Sequence, residues 1–277
     1  MVMIPVASIG LSDELRLEFS SKAERSRAWE IGVFYLEAPD WLQLDCGREF
    51  VSDLVDKSSQ YRKVPRYGEL EGFIALENNQ QTKLALRRRR WNTHYPAAIR
   101  NLGEQLDRIG IAIVRDVLLR SGIPSKRWGE ASGGYSSGGG DAFLNLVYYD
   151  VEKPDLGLNP HTDYGLVTIL STSGPGLEIF HGGKFIPVPV MKNHLIVNFG
   201  EALSFVTQRT QSAVSAVLHR VVRQQRSDLI RHSIVYFANP DLDGNLYQIG
   251  PNGDTQSSVS VQELFSSLEG RLTEQRT

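Results

Sequence analysis

Cysteine is nearly absent: Cys46 stands alone among 277 residues. One thiol cannot close an internal disulfide, and it cannot build a zinc or iron–sulfur site resting on several thiolates. A dominant charge is missing too, since 30 Lys+Arg stand against 32 Asp+Glu for a formal net charge of −2. That balance argues against nucleic acid or an anionic membrane as the main partner. No apolar run reaches the roughly eighteen residues a membrane-crossing helix needs. Residues 1–10 lack the basic start and long apolar stretch of a signal peptide, so the expected compartment is the cytoplasm. There is no internal repeat and no strong linker. What is present is enough apolar material, 41% against 22% charged, to bury a sizeable core. Six histidines are present as well: His94, His161, His181, His194, His219 and His232. Histidine ligates metals, moves protons and packs in cores, so each needs sorting.

The chain has two textures. Ile4-Pro5-Val6 reads as an opening strand, and Ser12 as the cap of a helix through Leu15, Phe19, Ala23 and Trp29. Gly32–Leu36 reads as a buried strand. A long helix is predicted from about His94 to Ser121, on the three- and four-residue recurrence of Ile99, Leu102, Leu106, Ile109, Ile113 and Leu118. The four arginines Arg87–Arg90 read as a solvated helical face with one or two ion pairs. Residues 132–140, rich in Gly and Ser, read as a flexible loop. They lack the Gly-Lys-Ser/Thr ending of a phosphate-binding loop, and a predicted strand follows. From Asp141 onward, short β-like runs punctuated by Gly, Pro, Asn and Asp point to a jelly roll. The expected organisation is a mainly helical region with opening strands (residues 1–130), a jelly-roll core (131–245) and a helical tail (246–277), packed as one unit of α+β class.

The chemistry concentrates in three places. In a strand, His161 and Asp163 share a face, because residues two apart do so. His219 is the candidate third ligand. Two histidines and a carboxylate make the facial set that holds non-haem Fe(II) and leaves three positions open. Arg231 and Ser233 again share a face, and a guanidinium beside a hydroxyl is a carboxylate clamp. A short polar turn over residues 223–228 would hold clamp and ligand set together, as a 2-oxo acid requires.

These residues resemble the Fe(II)/2-oxoglutarate oxygenases of the isopenicillin N synthase-like family, which includes plant flavonoid oxygenases and gibberellin oxidases. Gly174-Pro175-Gly176-Leu177-Glu178 is similar to the family's Pro-Gly-Leu-Gln strand, and Gly183-Lys184-Phe185 to its Gly-Lys-Trp. Asn198-Phe199-Gly200-Glu201-Ala202-Leu203 is similar to its Asn-x-Gly-Asp-x-Leu, and His219-Arg220-Val221 to its His-Arg-Val. Ile4-Pro5-Val6 and Ile31–Tyr35 resemble the opening strands. The likeness runs over residues 4 to 245, and such motif sets are hypotheses about chemistry.

The resemblance implies a double-stranded β-helix core with flanking N-terminal helices. It implies Fe(II) on His161, Asp163 and His219, and 2-oxoglutarate held by Arg231, Ser233 and Tyr149, with O2 as oxidant. Val147 and Asp150 depart from the family's Asn-Tyr-Tyr-Pro pattern around Tyr149, and Asn145 could offer a replacement amide. The implied activity is oxidation of an unactivated C–H bond of a small organic substrate, by hydroxylation, desaturation or cyclisation, in secondary metabolism. Two alternatives stand: an oxidase of the isopenicillin N synthase type, in which the clamp holds the substrate's carboxylate, and a non-catalytic jelly roll binding a metal or small acid. Candidate substrate-pocket residues are Phe143, Asn145, Tyr164 and Phe237, with residues 132–140 as a lid. His94, His181, His194, His232 and Cys46 are expected to be structural. A monomer or weak homo-oligomer is expected, with no nucleic-acid or membrane partner.

Overall fold

The structure is a computed structural model that describes residues 3–10, 16–75, 79–153, 155–225 and 231–274, the last seven as backbone only. The chain opens with β1 (Val6–Gly10), β2 (Arg16–Phe19), α1 (Lys22–Ile31), β3 (Val33–Glu37) and α2 (Leu44–Val55). Then come β4 (Gly72–Ala75), β5 (Gln81–Arg87), α3 (Arg88–His94), α4 (Ala97–Arg120) and the short α5 (Trp128–Ala131). The middle of the chain gives β6 (Asp141–Tyr149), β7 (Leu158–His161), β8 (Val167–Thr172), β9 (Leu177–His181), β10 (Lys184–Pro187), β11 (His194–Phe199) and α6 (Glu201–Thr207). It closes with β12 (His219–Val221), β13 (His232–Asn239), β14 (Asn245–Ile249), β15 (Thr255–Ser260) and α7 (Val261–Glu274).

A nine-stranded sheet runs β2-β1-β3-β11-β8-β13-β6-β5-β4 and faces a four-stranded sheet, β10-β9-β12-β7. Together they form the jelly roll, and the class is α+β. Alternation along the large sheet decides everything that follows. One set of side chains, including Leu84, Leu86, Leu144, Leu146, Ile169, Val197 and Ile234, packs with Ile99, Leu102, Leu106 and Ile113 of α4 in the main core. The other set, including Val147, Tyr149, Leu170 and Ile196, meets Leu177, Ile179 and Val221 of the small sheet. No helix among the described residues is long and apolar enough to cross a membrane.

Several local expectations change. The helix placed from Ser12 to Trp29 is a strand followed by a shorter helix: β2 takes Arg16–Phe19, and Ser21 caps α1 by accepting a bond from the Glu24 N–H. Ser12 and Leu15 lie outside the described residues, as does part of the turn over 223–228. The long helix expected from about His94 to Ser121 is α4, which starts just after Pro96; Pro96 has no N–H to join it to the preceding α3. β4 and β5 were not expected in a region read as helical. Most of the expected helical tail before α7, residues 246–260, belongs instead to a β14–β15 hairpin that starts at Asn245.

The Gly-rich segment 132–140 is a tied turn rather than a flexible loop or lid. Ser132 Oγ meets Ser136 Oγ at 3.0 Å and accepts a bond from the Ser136 N–H. Tyr135 is fully buried, with its hydroxyl 3.1 Å from that of Tyr236. The glycines serve backbone geometry, since Gly133, Gly134, Gly138 and Gly140 all have positive φ. Tyr135 and Tyr236 both belong to the helix-side core, so this segment packs away from the space between the sheets. The arginine run is also more than a solvated face. Arg87 pairs with Asp141, Arg88 with Asp107 at 2.5 Å, and Arg90 with the buried Glu71 at 3.2 Å.

Candidate metal centre

The small sheet brings two histidines together by register. His219 of β12 lies opposite His161 of β7, with ring centroids 4.3 Å apart. Asp163 sits two residues beyond the end of β7, in the connection to β8, so loop geometry aims it rather than the strand alternation expected from the sequence. His161 Nε2 is 3.6 Å from Asp163 Oδ1, and His219 Nε2 is 3.8 Å from Asp163 Oδ2. One ligand atom from each residue lies within 4.8 Å of the other two. Three such atoms, two nitrogens and one oxygen, are spaced to face one small cation.

The surroundings hold these atoms in ligating form. His161 Nδ1 is 2.8 Å from the Asn159 carbonyl and His219 Nδ1 is 3.0 Å from that of Val217. A carbonyl can only accept, so each ring carries its proton on Nδ1 and leaves the Nε2 lone pair toward Asp163. Burial foremost, then the neighbouring His219, pushes His161 below the usual imidazole range against the opposing pull of Asp163. Asp163 is fixed by the Thr168 hydroxyl, which donates to Oδ2 at 2.6 Å, and by its carbonyl, which accepts from the Glu201 N–H at 2.8 Å. Gly200 lets the loop come this close: a Cβ there would stand 2.2 Å from the Gly165 carbonyl oxygen and 2.9 Å from that of Asp163.

The large sheet supplies the facing wall. In its register Lys83 lies beside Val147, Val147 beside Ser233, and Ser233 beside Thr172. These residues share the inner face with Tyr149, Asn145, Phe143, Val235 and Phe237. Arg231 is 5% exposed and its Nε donates to the Pro175 carbonyl at 2.9 Å. Its guanidinium lies 4.1 Å from the Tyr149 ring centroid. Both terminal nitrogens are buried without a hydrogen-bond partner. A buried guanidinium with two idle donors is costly unless something accepts from them, and a carboxylate matches that fork. Ser233, fully buried, donates to Thr172 Oγ1 at 3.2 Å. The donor sets therefore fit both a metal and a carboxylate ligand.

Of the candidate pocket residues, Phe143 and Phe237 face each other across β6 and β13 with ring centroids 6.0 Å apart. Asn145 leaves a buried Oδ1 without a partner. Tyr164 is a correction: its ring lies 5.5 Å from that of Phe265 in α7, which packs on the helix-side core. His94 meets the Tyr67 hydroxyl and His194 Nδ1 the Lys192 carbonyl, both away from the ligand set. Sequence reasoning missed Lys83, Thr168 and Asn198, whose Oδ1 is likewise buried and unpartnered. The signal was Gln81-Thr82-Lys83-Leu84-Ala85-Leu86-Arg87, which alternates like a strand with one polar face.

Residues 140–240 match the model of the 2OG-Fe(II) oxygenase superfamily. That match falls within the jelly-roll region. The chain is 33% identical over 133 residues to the 2-oxoglutarate-dependent dioxygenase citB of Monascus ruber, a stretch covering 43% of this chain and 39% of that protein. It therefore spans about two fifths of the length of that curated relative. The fold extends further than the sequence likeness. The structure of JOX2 in complex with 2OG, Fe and JA superposes with a TM-score of 0.70 at 22% identity, covering 96% of this chain and 86% of that one. That of dioxygenase for auxin oxidation in rice does so at 0.70 and 17% identity, covering 98% and 96%.

Proposed function

We propose that this protein is an Fe(II)- and 2-oxoglutarate-dependent dioxygenase acting on a small organic molecule, with residues 131–245 as its catalytic core. The observation that carries the reading is the pairing of two incomplete donor sets. Three ligand atoms converge from His161, Asp163 and His219, and the buried guanidinium of Arg231 keeps two idle donors. The superfamily match and the 2-oxoglutarate-dependent relative support a 2-oxo acid, rather than a substrate carboxylate, in the clamp.

In this reading the two Nε2 atoms and one Asp163 oxygen would hold Fe(II), a nitrogen–oxygen donor set suited to non-haem iron. Bound Fe(II) and 2-oxoglutarate supply the oxidation of a C–H bond by O2, with succinate and CO2 as co-products. The chain does the rest. The Asn159 and Val217 carbonyls fix both ring orientations, and Thr168 fixes the carboxylate. Arg231 and Ser233 orient the distal carboxylate of 2-oxoglutarate, and the Tyr149 ring stacks against the guanidinium. The apolar side chains between the sheets keep water from the reacting groups. Phe143, Asn145 and Phe237 line the substrate's side of this space.

The test is product formation. Iron-loaded protein given 2-oxoglutarate and O2 is expected to release succinate, slowly alone and faster with a substrate from a panel of small molecules. Folded, iron-loaded protein that consumes no 2-oxoglutarate with any of the panel contradicts the reading.

A further inference from the structure

Lys83 is a buried cation that the reading above does not use. It lies in the middle of β5, 9% exposed, on the strand's inner face with Gln81 and Ala85. Among the described residues no hydrogen bond or ion pair engages it, whereas the nearby arginines 87, 88 and 90 each have an acidic partner. An isolated ammonium between two sheets is among the costlier things a fold can carry. Burial alone pushes it down to about 8, so it stays mostly charged at neutral pH.

Its position separates it from the clamp. Lys83 aligns with Val147 and Val147 with Ser233, so two strand spacings, about 10 Å, divide Lys83 from Ser233 along the sheet. The residue between them is apolar. Asn145, one inner-face position along β6 from Val147, adds a buried Oδ1 with no partner, and its amide nitrogen is a further donor on the same face. Arg231 with Ser233 already suffices for one carboxylate. The wall therefore carries two separate cationic anchors. Lys83 also lies outside residues 140–240, the part of the chain that matches the superfamily.

We infer that Lys83 is the anchor for a carboxylate of the primary substrate, which makes that substrate an organic acid. The inference rests on the oxygenase reading for its meaning, but the acid-binding step is measurable without iron.

The experiment uses metal-free full-length protein, saturated with 2-oxoglutarate, and a panel of probes: benzoate, phenylacetate, cinnamate, hexanoate and octanoate, each beside its primary amide. Binding is read by ligand-observed NMR for wild type, Lys83→Met and Lys83→Arg. At least one acid is expected to bind wild type about tenfold tighter than its amide, in keeping with one charge-assisted contact. That preference disappears in Lys83→Met and survives in Lys83→Arg. Affinity for 2-oxoglutarate in Lys83→Met stays within about threefold of wild type, and its melting temperature does not fall, because an unpaired buried charge is gone. No acid preference in wild type, or one that persists in Lys83→Met, overturns the inference. A tenfold or larger loss of 2-oxoglutarate affinity overturns it as well, by assigning Lys83 to the cosubstrate. Should Lys83→Met fail to fold, the same readings are taken on Lys83→Gln. Wild type that does not bind 2-oxoglutarate even when Zn(II) is added as a redox-inert metal refutes the functional reading alone, and the acid–amide comparison is then run without it.

Discussion

The two faces of the large sheet are written in the same strands, one residue out of step, and they solve opposite problems. The helix-side face is packed with apolar side chains. Leu84, Leu86, Leu144, Leu146 and Ile234 meet the apolar stripe of α4, and the two buried tyrosines there, Tyr135 and Tyr236, share a hydrogen-bonded network with Asp107. The inner face is unfinished. Arg231, Asn145 and Asn198 bury polar atoms with no partner, and Lys83 buries a charge. A fold selected for stability alone would fill those positions with apolar side chains. The difference separates two jobs within one sheet: the helix side holds the sheet in shape, and the inner side carries the polar groups assigned above to binding.

Substitutions on the two faces should separate stability from binding. The largest effect is expected at Asp163→Ala, which removes the oxygen ligand from a set of three. Fe(II) affinity should fall by about three orders of magnitude or more and turnover should cease, while melting shifts little; metal content after gel filtration and a thermal melt measure both. Next is Arg231→Gln. It replaces a forked cation with an amide, so 2-oxoglutarate should bind about a hundredfold more weakly, by calorimetry, in a protein at least as stable as wild type. Leu146→Ala on the other face should do the reverse, costing about 3 kcal/mol in denaturant unfolding and leaving Fe(II) affinity unchanged. Were Leu146→Ala to weaken metal binding as much as it weakens the fold, the division between faces would be lost.

How far these faces could be read in advance depended on how each strand announces itself. The strands between Asp141 and Asn239 were legible because β-branched and aromatic runs are cut by Gly, Pro and Asn at short intervals. His161, Asp163 and His219 stood out because a metal site needs particular residue types at workable spacings. β5 was not legible. Lys83 and Arg87 look like surface residues in sequence, and the arginine run that follows suggested a helix starting early. The buried polar face that makes β5 useful is what disguised it as exposed. Tyr164 misled in the opposite sense: adjacency to Asp163 suggested the pocket, but the neighbouring residue of a turn points elsewhere.

Smaller effects sharpen the contrast. Gly200→Ala places a methyl against two carbonyls of the Asp163 connection, and should cost about 1–3 kcal/mol in stability and loosen Fe(II) binding through that loop. The smallest is a pH effect at Lys83. Its folded value near 8 lies below the ordinary 10.5, so between those values the unfolded chain holds more protons and stability should rise with pH. That rise, about 1–3 kcal/mol for ligand-free wild type, should be missing from Lys83→Met, as equilibrium denaturation at pH 7.5 and pH 10 (each about half a unit outside or inside the window) would show.

The most direct test of the central claim, that the two unfinished donor sets on the inner side complete each other through Fe(II) and 2-oxoglutarate, is an anaerobic optical titration. Wild type given both ligands should develop the weak visible charge-transfer band of a 2-oxo acid chelated to Fe(II). Asp163→Ala should show none at any concentration, and Arg231→Gln should show it only at much higher 2-oxoglutarate. A folded wild-type protein that binds Fe(II) but gives no band with 2-oxoglutarate, or a band that Arg231→Gln leaves unchanged, would contradict it.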